Sequence, residues 1–151
     1  MANDGSMVDV SIKNITLRTA KAGSTIILGD EAFKTLKEGT CIKGDVLTTG
    51  KVAAITAVKS TPAIIPMCHP ILIEAVDIEF ELNEQEKSIT TIVTVKSSGK
   101  TGVEMEALVG ASAASLTIYD MLKYQSRDMI ITETKLLDKT GGKSGSYKRP
   151  D

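Results

Sequence analysis

Aromatic residues are scarce in this sequence. Only 3% of its 151 residues are aromatic, and tryptophan is absent. A chain of this length suits one domain that buries about 68–70% of its unfolded surface. Its core must therefore consist of aliphatic side chains and methionine, packed at close to crystalline density. We expect a single domain over residues 1–151, with flexible ends at about 1–6 and 141–151.

Cysteines and long apolar runs are also few. The two cysteines, Cys41 and Cys68, form no CxxC pair, which excludes a disulfide framework and favours a reducing compartment such as the cytoplasm. No apolar run reaches 18 residues, and the first ten residues lack a signal-like segment, so we expect no membrane association. A net charge of −1 argues against non-specific nucleic-acid binding. Any polyanion bound here must meet a local cluster of bases.

Hydrophobic periodicity predicts alternating strands and helices. Period-two or β-branched patterns mark the strands, and spacings of three and four mark the helices. The predicted strands are 18–28, 76–82, 89–95 and 129–139, and the predicted helices are 31–37, 46–59 and 102–123. Two strand-helix-strand halves with an adjacent central pair of strands indicate a ferredoxin-like α+β sandwich. We expect a four-stranded antiparallel sheet with helices packed on one face.

His69 is the only histidine and lies between two prolines in Pro66-Met67-Cys68-His69-Pro70. Fixed proline φ angles predict a constrained loop that presents its side chains at little entropic cost. Histidine suits proton transfer near neutral pH, although a lone histidine is about as often structural. The two cysteines and His69 lack the spacing of a zinc site, so we predict no metal site.

Glu104 and Glu106 lie near the start of the long predicted helix, where carboxylates favour the helix dipole. The segment Thr101-Gly102-Val103-Glu104 also fits a capping box, which would explain Glu104 structurally. No capping role accounts for Glu106, which makes it the better catalytic candidate of the two.

Asp120 and Lys123 lie one turn apart near the other end of that helix. A solvated surface ion pair is the commoner explanation for such spacing. Glu106 and Asp120 are fourteen residues apart, or about 21 Å along a helix. If both serve one site, either the helix breaks or the site lies between two subunits.

Two further segments carry lysine beside glycine. The tail Gly141-Gly142-Lys143-Ser144-Gly145 could bind an anion through its backbone. It is no Walker A motif, because position 137 is leucine and too little chain follows for a helix, and a disordered tail is the alternative. Lys43, in Lys43-Gly44-Asp45, either meets an anion at the next helix N-terminus or is a solvated linker residue.

Five segments in order make this sequence similar to one known family, and the resemblance covers nearly the whole chain. It resembles the cyclic pyranopterin monophosphate synthase family, also called molybdenum cofactor biosynthesis protein C. The five segments are Lys43-Gly44-Asp45-Val46, Ile65-Pro66-Met67-Cys68-His69-Pro70, Thr101-Gly102-Val103-Glu104-Met105-Glu106-Ala107-Leu108, Leu116-Thr117-Ile118-Tyr119-Asp120-Met121 and Gly141-Gly142-Lys143-Ser144-Gly145.

The resemblance implies an activity and an assembly. The implied reaction converts 3′,8-cyclo-7,8-dihydroguanosine 5′-triphosphate to cyclic pyranopterin monophosphate and releases diphosphate, with no cofactor. The implied assembly is a hexamer, a trimer of dimers with active sites at dimer interfaces.

The resemblance also implies roles for individual residues. The implied catalytic residues are Asp120, Lys43, Lys123 and His69. The implied substrate-binding residues are Met67, Cys68, His69, Met105, Glu106, Glu104, Arg18 and Lys143, with Arg18 and Lys143 near the phosphates.

Two other functions remain open on the sequence alone. A non-catalytic nucleotide- or pterin-sensing module is one, because ferredoxin-like folds host many regulatory domains. A metal-dependent nucleotide hydrolase is the other, and it would need clusters of metal ligands that the sequence does not offer.

Overall fold

The computed structural model describes residues 5–151, which form an antiparallel sheet with helices on one face. The strands are β1 (Thr16–Ile27), β2 (Ala75–Asn83), β3 (Ser88–Gly99), β4 (Ile130–Thr140) and β5 (Tyr147–Lys148). The helices are α1 (Asp30–Glu38), α2 (Val46–Lys59), α3 (Thr61–Ile64) and α4 (Glu104–Leu122). Of the N-terminal end that we expect to be flexible, residues 1–4 lie outside the described residues. The expected flexibility of 5–6 and 141–151 stays a prediction.

The sheet confirms the α+β ferredoxin-like class but corrects the number of strands. Its order is β2-β3-β1-β4-β5, so it has five strands where the sequence predicted four. The additional strand β5 is two residues long and pairs with Asp138 and Lys139 of β4. So short a strand has no period-two pattern by which a sequence could reveal it.

Aliphatic side chains from the three central strands form the face on which the helices pack. In β1, Ala20, Ala22 and Ile26 are completely buried. They lie opposite Val95, Val93 and Ile89 of β3 in the antiparallel register. Because successive side chains of a strand point to opposite faces, this parity places the apolar side chains of both strands beneath the helices. The predicted aliphatic core is therefore confirmed.

α4 is the central helix, and small residues let its neighbours approach closely. Its buried side chains form one hydrophobic cluster with buried side chains of α2 and of the sheet. A Cβ atom added to Gly110 would lie 2.7 Å from Val58 Cγ2 on α2 and 3.3 Å from Val93 Cγ1 on β3. The run of small residues 110–115 in α4 therefore permits close packing within one chain.

The two longest helices begin differently. Asp45 precedes α2 and caps it, because its Oδ1 accepts a hydrogen bond from the Thr48 amide at 3.0 Å. The predicted capping box at Thr101 is wrong, because α4 begins after Val103 and has no side-chain cap. The helix starts later than expected, so Val103 and not Thr101 occupies the N-cap position. Glu104 therefore has no capping-box explanation.

Within residues 5–151, no helix is both long enough and apolar enough to span a membrane.

Candidate active site

One group of candidate residues lies at the C-terminal end of α4. Asp120 Oδ1 lies 2.8 Å from Lys123 Nζ, and its Oδ2 lies 3.8 Å from Lys43 Nζ. Lys43 Nζ also donates a hydrogen bond to the Asp120 carbonyl oxygen at 2.8 Å. Three catalytic candidates from two distant segments thus meet in one cluster, hereafter the Lys-Asp-Lys cluster.

The electrostatics of this cluster keep Asp120 ionised. The hydrogen bond and the charge of Lys123, followed by the charge of Lys43, lower the pKa of Asp120 below its ordinary value. All three side chains remain substantially exposed, with Asp120 at 62%. The cluster is therefore an open, charged surface that another molecule can reach.

A second group lies at the N-terminal end of α4 and lines a cavity of about 800 Å³. Of the predicted site residues, Arg18, Glu104 and Lys143 line this cavity, hereafter the basic cavity. Lys13 and Lys139 add two bases to its wall. Four cationic side chains against one carboxylate make a site suited to a polyanion.

The glycines of the tail bring Arg18 and Lys143 to the same cavity. Arg18 Nε donates to the Gly99 carbonyl oxygen at 3.0 Å, which fixes the guanidinium against β3. A Cβ atom on Gly141 would lie 2.1 Å from the Leu17 carbonyl oxygen, and one on Gly142 would lie 2.3 Å from Arg18 Nη1. Both glycines also have positive φ angles, which other residues rarely adopt. Glycine is therefore required for the tail to lie beside Arg18.

Glu106 is buried in the first turn of α4, only 3% exposed. Burial raises its pKa above the ordinary value, and the charge of Glu104 adds to the rise. None of the described basic side chains forms an ion pair with Glu106. An unpaired buried carboxyl costs stability in its ionised form, which is typical of a functional group.

Cys68 lies close enough to Glu106 for their charges to interact. Burial, followed by the charge of Glu106, raises the pKa of the Cys68 thiol. The thiol therefore stays protonated at neutral pH and is a weak nucleophile. Among the residues that the structure describes, Cys41 and Cys68 are both free.

The proline-flanked loop places His69 beside the basic cavity rather than inside it. His69 lines a smaller cavity of about 300 Å³ together with Lys100 and Thr101. Thr101 also lines the basic cavity, so the two cavities adjoin. Met67 of the same loop is 53% exposed, and Met105 of α4 is 37% exposed. These methionines present apolar surface near the N-terminal end of α4.

The structure thus divides the predicted site residues into two groups within one chain. α4 runs without a break over 19 residues from Glu104 to Leu122. At 1.5 Å per residue, the separation of fourteen positions from Glu106 to Asp120 corresponds to about 21 Å. The possibility that the helix breaks is therefore eliminated, and one chain does not bring the two groups together.

Three lysines near the N-terminal group were missed by the sequence interpretation: Lys13, Lys100 and Lys139. In the sequence, Lys139 is one residue of a predicted strand, and Lys100 immediately precedes the segment that begins at Thr101. Neither pattern distinguishes a cavity lysine from a solvated one, because only the tertiary fold gathers these side chains. Over residues 5–151, no three histidine, cysteine or carboxylate side chains are arranged to hold a metal ion.

Comparison with known proteins gives relatives over almost the entire chain. Residues 7–142 match the MoaC family. A protein of Bacillus mycoides is 50% identical over 145 residues, covering 95% of this chain and 90% of the relative. A protein of Staphylococcus carnosus is 49% identical over 147 residues, covering 97% and 91%. A protein of Staphylococcus aureus is 50% identical over 146 residues, covering 95% and 89%. Each of these relatives is named cyclic pyranopterin monophosphate synthase.

Proposed function

Because this chain belongs to the MoaC family, we propose that it forms cyclic pyranopterin monophosphate, the product in the name of its relatives. Its substrate is 3′,8-cyclo-7,8-dihydroguanosine 5′-triphosphate, and the second product is diphosphate. The chain is thereby a phosphorus-oxygen lyase of molybdenum cofactor biosynthesis. The observation that carries the proposal is identity at about half of all positions over 95% of the chain.

We propose that the basic cavity receives the triphosphate. Its volume of about 800 Å³ falls in the range of small-molecule sites. Arg18 and Lys143, helped by Lys13 and Lys139, would neutralise the charge that develops as diphosphate leaves. Arginine also binds phosphate oxygens in a bidentate manner, which would orient the chain of phosphates.

The Lys-Asp-Lys cluster is the proposed site of proton transfer. Since the pKa of Asp120 is lowered, its carboxylate is ionised at neutral pH and acts as an acceptor. Lys123 and Lys43 supply protons and positive charge on either side of it. The short contact between Asp120 and Lys123 gives a direct path between an acceptor and a donor.

Glu106 and His69 are the proposed acid and base of the N-terminal group. The raised pKa of Glu106 keeps a proton available closer to neutral pH than an exposed carboxyl would. The buried carboxyl of Glu106 can therefore serve as a proton donor, whereas the exposed, lysine-paired carboxylate of Asp120 can serve as a proton acceptor. Cys68, Met67, Met105 and Glu104 would form the surrounding surface against which the pterin ring lies.

A site built from both groups requires two chains. We propose that the N-terminal group of one chain faces the Lys-Asp-Lys cluster of a second chain across a dimer interface, and that three such dimers form a hexamer. The unbroken length of α4 supports this arrangement, because about 21 Å is far beyond the roughly 3 Å reach of proton transfer. Two free cysteines are consistent with the reducing cytoplasm as the proposed location.

The direct test supplies the freshly prepared cyclic dihydro-GTP intermediate and measures diphosphate and cyclic pyranopterin monophosphate together. The wild-type chain should form both in equal amounts. Asp120→Asn, which changes an exposed side chain, should retain the circular dichroism of the folded chain and lose most of the turnover. A folded wild-type chain that releases no diphosphate would refute the proposed function.

The same assay separates the two alternatives. A nucleotide- or pterin-sensing module would bind the intermediate without consuming it. A metal-dependent nucleotide hydrolase would lose its activity in excess chelator, whereas we expect the rate to change by less than about twofold.

A further inference from the structure

The loop that carries Lys43 is fastened to the end of α4 by three consecutive residues. This loop, residues 39–45, connects α1 to α2. Each contact pairs one loop atom with one atom near the helix C-terminus. They are Cys41 Sγ to the Met121 carbonyl oxygen at 3.4 Å, the Ile42 amide to Tyr124 Oη at 3.1 Å, and Lys43 Nζ to the Asp120 carbonyl oxygen at 2.8 Å.

The three contacts differ in how firmly they can restrain the backbone beside Lys43. The Cys41 contact is a weak thiol hydrogen bond and lies two residues before Lys43. The Lys43 contact is made by the tip of a long, flexible side chain. Of these three, the contact to Tyr124 is the one made by the backbone immediately before Lys43.

Packing does not replace this contact. The side chain of Ile42 is 77% exposed, so no apolar burial fixes its backbone. Gly44, on the other side of Lys43, has a φ angle of 109°, and its amide donates to the Cys41 carbonyl oxygen at 3.1 Å, which closes a turn around Ile42 and Lys43. The turn sets the local backbone of Lys43 and Cys41 anchors its start in the core, while the hydroxyl of Tyr124 ties the turn directly to the segment that follows Asp120.

We propose that Tyr124 is a positioning residue that holds Lys43 beside Asp120. The inference rests on the proposed function, in which Lys43 serves the reaction, and it adds a residue that touches neither substrate nor reacting atom. Tyr124 holds the loop because its hydroxyl oxygen accepts a hydrogen bond from the Ile42 amide, while the hydroxyl proton remains free to donate to solvent.

Tyr124→Phe removes only the hydroxyl and so tests the proposal. The Ile42 amide should exchange with deuterium several-fold faster, since its acceptor is gone. kcat should fall about fivefold, the factor expected for one hydrogen bond of ordinary net strength, while KM changes by less than about twofold. An unchanged KM is expected because the basic cavity is the proposed binding site of the phosphates, whereas Lys43 and Asp120 are proposed to transfer protons.

Tyr119→Phe is the matched control, because Tyr119 lies on α4 five residues before Tyr124 and also uses its hydroxyl in a hydrogen bond. It loses the hydrogen bond from Tyr119 Oη to the Arg127 carbonyl oxygen, 2.9 Å long, without touching the loop. We expect kcat within about twofold of wild type and unchanged exchange at Ile42. An equal loss of kcat in both variants would indicate a general effect on α4 and would overturn the inference.

A third comparison asks whether Tyr124 acts through Lys43. In a Lys43→Ala background, adding Tyr124→Phe should leave the residual single-turnover rate unchanged, because the positioned group is absent. A further fivefold loss there, or unchanged Ile42 exchange in Tyr124→Phe, would overturn the inference. If the folded wild type shows no turnover, the proposed function fails, and the exchange comparison still decides whether Tyr124 holds the loop.

Discussion

Mixing two inactive variants should restore activity if the active site is shared between chains. Asp120→Asn disables the Lys-Asp-Lys cluster, and His69→Gln disables the N-terminal group. Each variant alone should have little turnover. Since these groups belong to different ends of the unbroken α4, an assembly of both variants contains some sites with both groups intact.

The expected recovery follows from pairwise assembly. Random mixing in equal amounts makes half of the dimers mixed, and one of the two sites in each mixed dimer is intact. The mixture should therefore recover about a quarter of the wild-type activity. If each site lay within one chain, no intact site would form and no activity would return.

Mixing wild type with the double variant Asp120→Asn/His69→Gln provides a second, independent ratio. A shared site predicts about a quarter of the wild-type activity, because every mixed dimer has one defect in each site. A site within one chain predicts about a half, because each wild-type chain stays active.

The assay is diphosphate release after co-expression or joint refolding, with the mixed fraction measured by native mass spectrometry. Absence of recovery from the two single variants, together with about half activity in the second mixture, would refute the argument from helix length.

Further predictions concern packing and charge. Gly110→Ala should unfold at lower urea than wild type, because its Cβ would lie 2.7 Å from a neighbouring side chain and overpacking of about 1–3 kcal/mol exceeds a gain of about 1 kcal/mol in helix propensity. Gly50→Ala, whose nearest neighbour is at 3.7 Å, should unfold at higher urea, and an equal response of both variants would contradict the packing argument. Burial raises the pKa of Glu106, so wild type loses stability as pH rises from the ordinary carboxyl range through the raised native pKa. Glu106→Gln should therefore have a higher urea midpoint than wild type at pH 8 but not at acidic pH, and it should lose turnover. A lower urea midpoint than wild type at pH 8 would contradict this. Lys123→Met should raise the pKa of Asp120 toward its ordinary value in a carboxyl NMR titration, and an unchanged pKa would show that Lys123 is not its main cause.

Local patterns predicted most of the secondary structure. The bounds of α2, 46–59, agree with the predicted helix because Asp45 caps it and the apolar spacing runs to its end. The period-two alternation of 76–82 and 89–95 predicts the two strands β2 and β3, which pair as the expected adjacent pair. β5 and the short α3 were not predicted, because two- and four-residue elements carry too little periodicity. The capping box was predicted wrongly, since the motif Thr101 to Glu104 is present but the helix begins beyond it.

The candidate site was predicted in a different way. The residue types and their resemblance to a family singled out Lys43, Asp120 and Lys123, and the structure brings these three together. The burial of Glu106 and the convergence of Lys13 and Lys139 on Arg18 were not foreseen. Burial and the convergence of distant side chains depend on how the whole chain packs, which a local sequence pattern does not show.

The sequence by itself determined the aliphatic core, the helix and strand periods and the separation of Glu106 from Asp120 along one helix. These properties follow from side-chain chemistry and from the rise per residue, both of which are local. The tertiary structure alone decided that α4 stays unbroken, that the glycines of the tail lie against Arg18, and that Tyr124 reaches the loop of Lys43. The positions of the tail glycines and of Tyr124 depend on contacts between segments far apart in sequence, which only the packing of the whole chain brings within hydrogen-bonding or van der Waals distance.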